Sequence, residues 1–325
     1  MPKKDTHKTS IGGQAVIEGD MMRGSEKIAT VVRKPDGDIA AEIWDVPASR
    51  KLKLFKLPII RGCIGFFDSL VIGIKSLMFS ADFVEIDEED EKKPGKEKPK
   101  KEKPAKEKSD KAKDIAIYFA VMLSLVMSVG LFMFLPKILI EVAVEYIKIE
   151  NHMLKVILEG CVRIALFIGY LSLTSLMPDM KRVFMYHGAE HKSIHCFENG
   201  DELTVENVKK QTRLHPRCGT SFLFIVMIVS IVVFSVIRWT GSHDFYLHII
   251  VPLLLRLALL PVVAGISYEI IKFAGRHDNF LTRIISAPGM FFQKITTKEP
   301  TDDQIEVAIA ALKAVMPEKK GDDAW

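Results

Sequence analysis

Four apolar blocks, at about residues 115–140, 153–177, 220–237 and 245–273, constrain this chain most. Each is close to the roughly 20 residues that a helix needs to cross a hydrocarbon core. They predict a mainly α membrane protein: a four-helix transmembrane bundle with a small N-terminal β-rich cytoplasmic unit, an interfacial amphipathic helix and a C-terminal amphipathic helix. Mean hydropathy is above zero, at +0.17, although 26% of residues are charged. The two characters must therefore be segregated along the chain. The net charge of +4 averages an acidic run, a lysine-rich run and nearly neutral apolar blocks, so it gives no ground for a nucleic-acid partner. Cys63, Cys161, Cys196 and Cys218 lack the spacing of a disulfide framework, which fits reduced thiols. The opening MPKKDTHKTSIGG has no apolar core of signal-peptide length, so insertion is expected to use the internal segments.

Residues 1–58 read as the β-rich unit. Ile28–Val32 and Ile39–Ile43 are strand-like runs separated by Lys34–Asp38, whose Pro35 and Gly37 favour a turn. The run from Gly12 to Gly19 reads as tight turns, the alternative being a close approach of backbone amides to a ligand. In residues 59–84, Arg61, Asp68 and Lys75 recur every seven positions. That places them on one helical face and favours a helix lying in the interface over one that spans. Residues 85–113, with KEKP repeats and no apolar anchors, read as a disordered charged linker. The membrane domain covers 114–277 and contains a His-rich loop, 178–219. Residues 278–325 form a helical tail in which Thr301-Asp302-Asp303-Gln304 is a capping box opening a helix with Ile305, Ala308, Ile309 and Leu312 on one face.

The linker lysines, the loop residues Lys181, Arg182, Lys209, Lys210, Arg213 and Arg217, and Arg276, Arg283 and Lys294 of the tail region fall on one side of the four blocks. Positive charge stays cytoplasmic, so the loop and both termini are expected on the cytoplasmic side of a bacterial inner membrane. Within the blocks, Glu159 and Arg163 have the i,i+4 spacing of an ion pair. Arg256 needs a bundle-facing partner, an interhelical ion pair being the plain account, and Glu269 falls near the cytoplasmic end of its helix.

The loop carries the chemistry. If Tyr186–Glu198 is helical, His187, His191 and His195 align on one face, with Glu190 one turn from His187. Two neutral imidazoles one turn apart can converge on zinc or another divalent transition metal, and a carboxylate beside them can take a proton from water. His187–His191 also matches H-x-x-E-H, the inverted zinc-peptidase pattern. At the far end of the loop, His215 and Cys218 offer an imidazole and a thiolate as further ligands. The candidate metal set is thus His187, His191, His195, His215 and Cys218, with Glu190 as the catalytic base.

Five strings, GGQAVIEGDMMRG, YHGAEHKSIHCFENGDELTVENV, RLHPRCGTSFLFIVM, LLPVVAGISYEIIKFAGR and EPTDDQIEVAIAALKAV, resemble in order the bacterial membrane family catalogued as domain of unknown function 1385. The resemblance implies a metal-dependent membrane enzyme with His187, Glu190, His191, His195, His215 and Cys218 as its polar motif. Asp20 stands in the first string where that pattern leads one to expect an apolar residue.

Two functions compete at this stage. One is a zinc-dependent, peptidase-like membrane hydrolase whose substrates are membrane-proximal peptides or lipid-linked esters and amides. The other is a non-enzymatic scaffold for membrane-protein insertion or assembly, its metal clamping the loop and its β unit binding a partner. Either way the lipid bilayer is a partner. Ion transport is disfavoured, because the intramembrane charges are few and form no path.

Overall fold

The computed structural model describes residues 7–46, 57–91, 110–236, 245–277, 279–317 and 323. The chain divides into two compact units, one of Met1–Glu89, Tyr170–Val229 and Leu260–Trp325, the other of Asp90–Gly169 and Ser230–Leu259.

The first unit is built on a four-stranded antiparallel sheet, β1 (Gly12–Val16), β2 (Gly19–Arg23), β3 (Lys27–Arg33) and β4 (Ile39–Asp45), in the order β1-β2-β3-β4. The expected hairpin is β3–β4. Its turn closes with Lys34 N–H on the Asp38 carbonyl at 2.8 Å, and Gly37 takes φ +88°, a conformation that favours glycine. The glycine-bearing run from residue 12 forms a further hairpin, β1–β2, turning at Ile17 and Glu18. Glu18 sits at φ +50°, and its carboxylate is held by Arg182 at 2.5 Å and by the Tyr186 hydroxyl at 3.2 Å.

β2 and β3 are buried nearly throughout because both faces of the sheet are covered. On one face, Met22, Ala29 and Val31 pack with Tyr186 and Ile194 of α5 (Pro178–Glu198) and Leu312 of α10 (Asp302–Val315). On the other, Met21 and Ile28 meet Ile72 of α1 (Ile60–Glu91), and the Thr30 hydroxyl donates to Ser76 at 2.9 Å. The predicted capping box opens α10, with Thr301 N–H on Gln304 Oε1 at 3.0 Å. The predicted apolar face of that helix, Ile305, Ala308, Ile309 and Leu312, is buried, against the sheet and α5.

Among the described residues, four helices are long and apolar enough to cross a membrane: 60–83, 119–147, 152–174 and 250–276; α7 (Gly219–Ser235) is apolar but shorter. The segment that the sequence placed in the interface is therefore long enough to span. It buries small residues against protein and turns apolar ones outward, as a lipid-facing helix does. Gly73, Ser76 and Ser80 are buried, with Gly73 against Gln14 and Ser76 on the sheet, while Phe67, Leu70 and Val71 are exposed. Of its three periodic charges, Arg61 pairs with Glu269 (Nε–Oε1 2.6 Å), and Lys75 lies 3.8 Å over the Trp44 ring and 3.2 Å from Glu42. α1 continues to Glu91 and α2 (Asp110–Val129) starts at Asp110, so both ends of the 85–113 segment are helical. Its lysine-rich centre, 92–109, lies outside the described residues.

In the second unit, α2 passes through a π-helical turn, Gly130–Phe134, into α3 (Leu135–Ile147), and α4 (His152–Thr174) follows. The expected pair forms, with Arg163 Nη2 on Glu159 Oε1 at 2.7 Å. Arg256 of α8 (Phe245–Arg276) grips the same carboxylate with both Nη atoms, Nη2–Oε2 being 2.9 Å. Arg163 Nε donates at 2.8 Å to the carbonyl of Phe132 inside the π-helical turn, where the displaced i→i+5 register alters the ladder.

Candidate metal centre

α5 is helical across the whole motif, opened by Pro178 at its first turn, where a missing N–H costs nothing. His187, His191 and His195 therefore share a face. The loop after α6 (Val205–Lys209) returns past them and delivers Arg213, Leu214, His215 and Cys218 before α7. α9 (Phe280–Thr296) closes the site from a third direction.

The ligand atoms fall into two groups. In the first, His187, His191 and Cys218 place one ligand atom each within 4.8 Å of one another. His187 Nδ1–H donates to the Thr296 carbonyl at 2.8 Å and His191 Nδ1–H to the Arg213 carbonyl at 2.6 Å. Carbonyls only accept, so both tautomers are settled and both Nε2 atoms are left for other work. His187 Nε2 lies 3.2 Å from Cys218 Sγ, and His191 Nε2 is buried without a hydrogen-bond partner among the described residues. Burial alone would raise the Cys218 thiol, but His191 and His187 outweigh it and hold it well below its ordinary value. Burial alone would likewise lower His187, yet the Cys218 thiolate carries it up to about 9. Without a metal this is a thiolate–imidazolium pair. A soft cation between the same atoms would displace the proton.

The second group is His195, Glu198 and His215, and its donors are already committed. His195 Nε2–H donates to the Leu214 carbonyl at 3.0 Å, and Glu198 takes Arg217, the Thr9 amide at 2.9 Å and His215 Nε2 at 3.4 Å. Gln293 pins the His215 backbone on both sides at 2.7 Å. Burial first, then the neighbouring His191, His195 and Arg217, outweigh the Glu198 hydrogen bond and push His215 down to about 4. A guanidinium already occupies the place of a cation here, which makes this group a poorer metal site than the first. The five candidate ligands are thus divided, His187, His191 and Cys218 from His195 and His215, although His191 and His215 remain neighbours with ring centroids 5.7 Å apart. Glu269 belongs to neither group and stays with Arg61.

Glu190 is 4% exposed and its Oε2 has no partner among the described residues. A Cβ at Gly13 would come within 3.0 Å of its carboxyl carbon, so the second glycine of the first string is a point of close approach, with the turn falling later, at Ile17–Glu18. Beyond it lies Asp20, fully buried, with neither oxygen partnered among the described residues. Asp20 pairs with Val31 in the register that puts Met22 opposite Ala29, so it faces α5. Burial first and Glu190 second raise its carboxyl well above the ordinary range, and burial also raises Glu190 against the pull of His187 and His191.

Sequence reasoning had only one signal for Asp20, its polar character at a position expected to be apolar. It had none for the carbonyls of Thr296 and Arg213, or for Gln293, Glu198 and Arg217, because these join the site through tertiary contacts.

Two substitutions test this geometry. Asp20→Val should stabilise the protein by about 1–3 kcal/mol, the cost of a buried polar group without a partner. A carboxyl with a raised folded-state pKa carries no penalty below its ordinary value and a growing one above it. The gain in unfolding experiments should therefore be larger at neutral pH than near pH 4. Gly188→Ala should have the opposite sign, since an added Cβ would overlap the Lys298 carbonyl oxygen. Overpacking of this kind costs about 1–3 kcal/mol. It would also displace the segment after α9 and with it Thr296, which holds His187, and metal content would register that.

The family model described as "Protein of unknown function (DUF1385)" matches residues 57–318. The chain belongs to this family. The "Uncharacterized protein YqhQ" of Bacillus subtilis (strain 168) is 32% identical over 313 residues, covering 94% of this chain and 92% of that protein. No solved structure matches. The family match takes in the whole candidate centre except its N-terminal edge at Gly13 and Asp20, whereas the likeness to YqhQ runs over nearly the full length of both chains.

Proposed function

We propose that this family member is a peptidase-like, metal-dependent hydrolase of the bacterial inner membrane, with its site and both termini on the cytoplasmic side. The observation that carries the reading is the donor set: two imidazoles with Nδ1 anchored on carbonyls, a thiolate within reach of both, and a carboxylate beside them with a free oxygen. Imidazole and thiolate donors suit zinc, and three protein ligands are what a catalytic zinc site keeps. His187, His191 and Cys218 would hold the metal, which when bound lowers the pKa of water and polarises a carbonyl.

The chain's own groups supply the rest. Glu190 takes a proton from the attacking water and returns it to the leaving group. The Thr296 and Arg213 carbonyls keep the imidazoles oriented, and burial keeps bulk water out. Membrane-proximal peptides or lipid-linked esters and amides are the substrate classes that such a location favours. The orientation rests on the basic residues gathered in the loop and around α8 and α9.

Burial favours a second reading. With Glu190 4% and His191 1% exposed, the cluster also suits a structural metal that clamps the loop in a membrane-protein assembly scaffold. Glu190→Gln separates the two: a hydrolase keeps its metal and loses turnover, whereas a scaffold keeps both its metal and its ability to complement a deletion.

A further inference from the structure

α9 is amphipathic in the wrong sense for water. Its outward side carries Phe280 (80% exposed), Leu281 (57%), Ile284 (52%) and Phe291 (58%), while Thr282, Gly289, Gln293 and Thr296 are buried against the protein together with one apolar residue, Phe292. A helix bathed in water buries its apolar side; this one buries a mostly polar side because that side does structural work. Gln293 holds the His215 backbone and Ser221, and Thr296 holds His187.

The ends of α9 settle its direction. Its N-terminus follows three residues after α8, a candidate membrane span that closes at Arg276, so it starts at the membrane surface. Lys8 Nζ donates to the Gly275 carbonyl at 3.2 Å, and the next residue, Thr9, bonds Glu198 at the end of α5. At the other end, Lys298 N–H donates to the Phe184 carbonyl of α5 at 2.8 Å. The C-terminal end of α9 is thus tied directly to the polar helix α5, and the end of α8 just before α9 is linked to α5 through Lys8 and Thr9. The 17 residues of α9 extend roughly 25 Å.

We propose that α9 lies in the plane of the membrane, its outward face among the acyl chains of one leaflet just below the headgroups, and so seats the His/Cys cluster at that surface. Arg283 and Lys294 share its outward side and can reach the headgroup phosphates by snorkelling. The partner is the bilayer, so the tail region is not wholly aqueous as its charge suggested. The inference concerns position alone and does not depend on metal or on hydrolysis.

Depth-dependent fluorescence quenching tests it. In a background with Trp44, Trp239 and Trp325 replaced by Phe, Ile284→Trp and Phe291→Trp are placed singly in nanodiscs. Both reporters should lose most of their emission to brominated acyl chains and little to aqueous iodide, whereas Ile39→Trp, on the exposed sheet edge, should respond to iodide alone. Iodide quenching at 284 and 291, or silence toward both quenchers, would overturn the proposal. If the background does not fold, a carbene precursor dissolved in the acyl phase should label the 280–291 segment of the wild type, and an unlabelled segment would overturn it equally.

Discussion

Glu159→Ala is expected to lower the stability of the detergent-solubilised protein by about 3–5 kcal/mol, the range for removing one partner from a buried ion pair. Glu159, Arg163 and Arg256 are each less than a tenth exposed, and both carboxylate oxygens are taken by guanidinium groups. Removing the carboxylate leaves two buried cations facing each other inside an apolar segment, with the Phe132 carbonyl and the Ser230 hydroxyl accepting from Arg163. The double variant Glu159→Leu/Arg256→Met should cost less than the single one, because it removes a charge of each sign. Thermal unfolding of the wild type and the two variants checks this. Equal losses in both would mean that packing of the side chains matters and their charge does not.

Glu190→Gln is expected to reduce turnover by roughly 10²–10⁴-fold, the span ascribed to a positioned acid–base group. The amide has nearly the shape of the carboxylate and should fit beside Gly13, but it cannot accept a proton. Since Glu190 stands outside both groups of converging ligand atoms, metal content should be unchanged. Loss of metal together with activity would make Glu190 a ligand instead of a base. Unchanged function with metal retained would favour the scaffold.

Much of this architecture is local and hence legible in the sequence. The alignment of His187, His191 and His195 follows from helical periodicity, the Thr301–Gln304 capping box opens α10, and Lys34–Asp38 makes the predicted turn. Pairing of Glu159 with Arg163 likewise follows from their i,i+4 spacing. Other features depend on what distant segments bring. The split of the histidines into two groups is decided by Arg217 reaching Glu198 and by Gln293 pinning His215, and neither contact has a periodicity. The inverted faces of α1 and α9 were obscured because a helix that hides Ser76 or Gln293 and exposes Val71 or Phe291 has the same alternation as one turned around. Only packing tells which side faces the protein. The placement of Gly13 and Asp20 beside Glu190 was hidden for a related reason: the crossing of a β-strand over a helix is not written in either segment alone.

The measurement that bears most directly on the account is the metal content of the purified protein, determined by elemental analysis beside Cys218→Ser and His187→Ala/His191→Ala variants and a His195→Ala variant. The account predicts about one zinc or similar transition metal per chain, lost in the first two variants and kept in the third, because His195 is committed to the Leu214 carbonyl. A folded wild type that carries no metal and takes up none when zinc is supplied would contradict it, and would leave the His187–Cys218 pair as a buried ion pair with no ligand to hold.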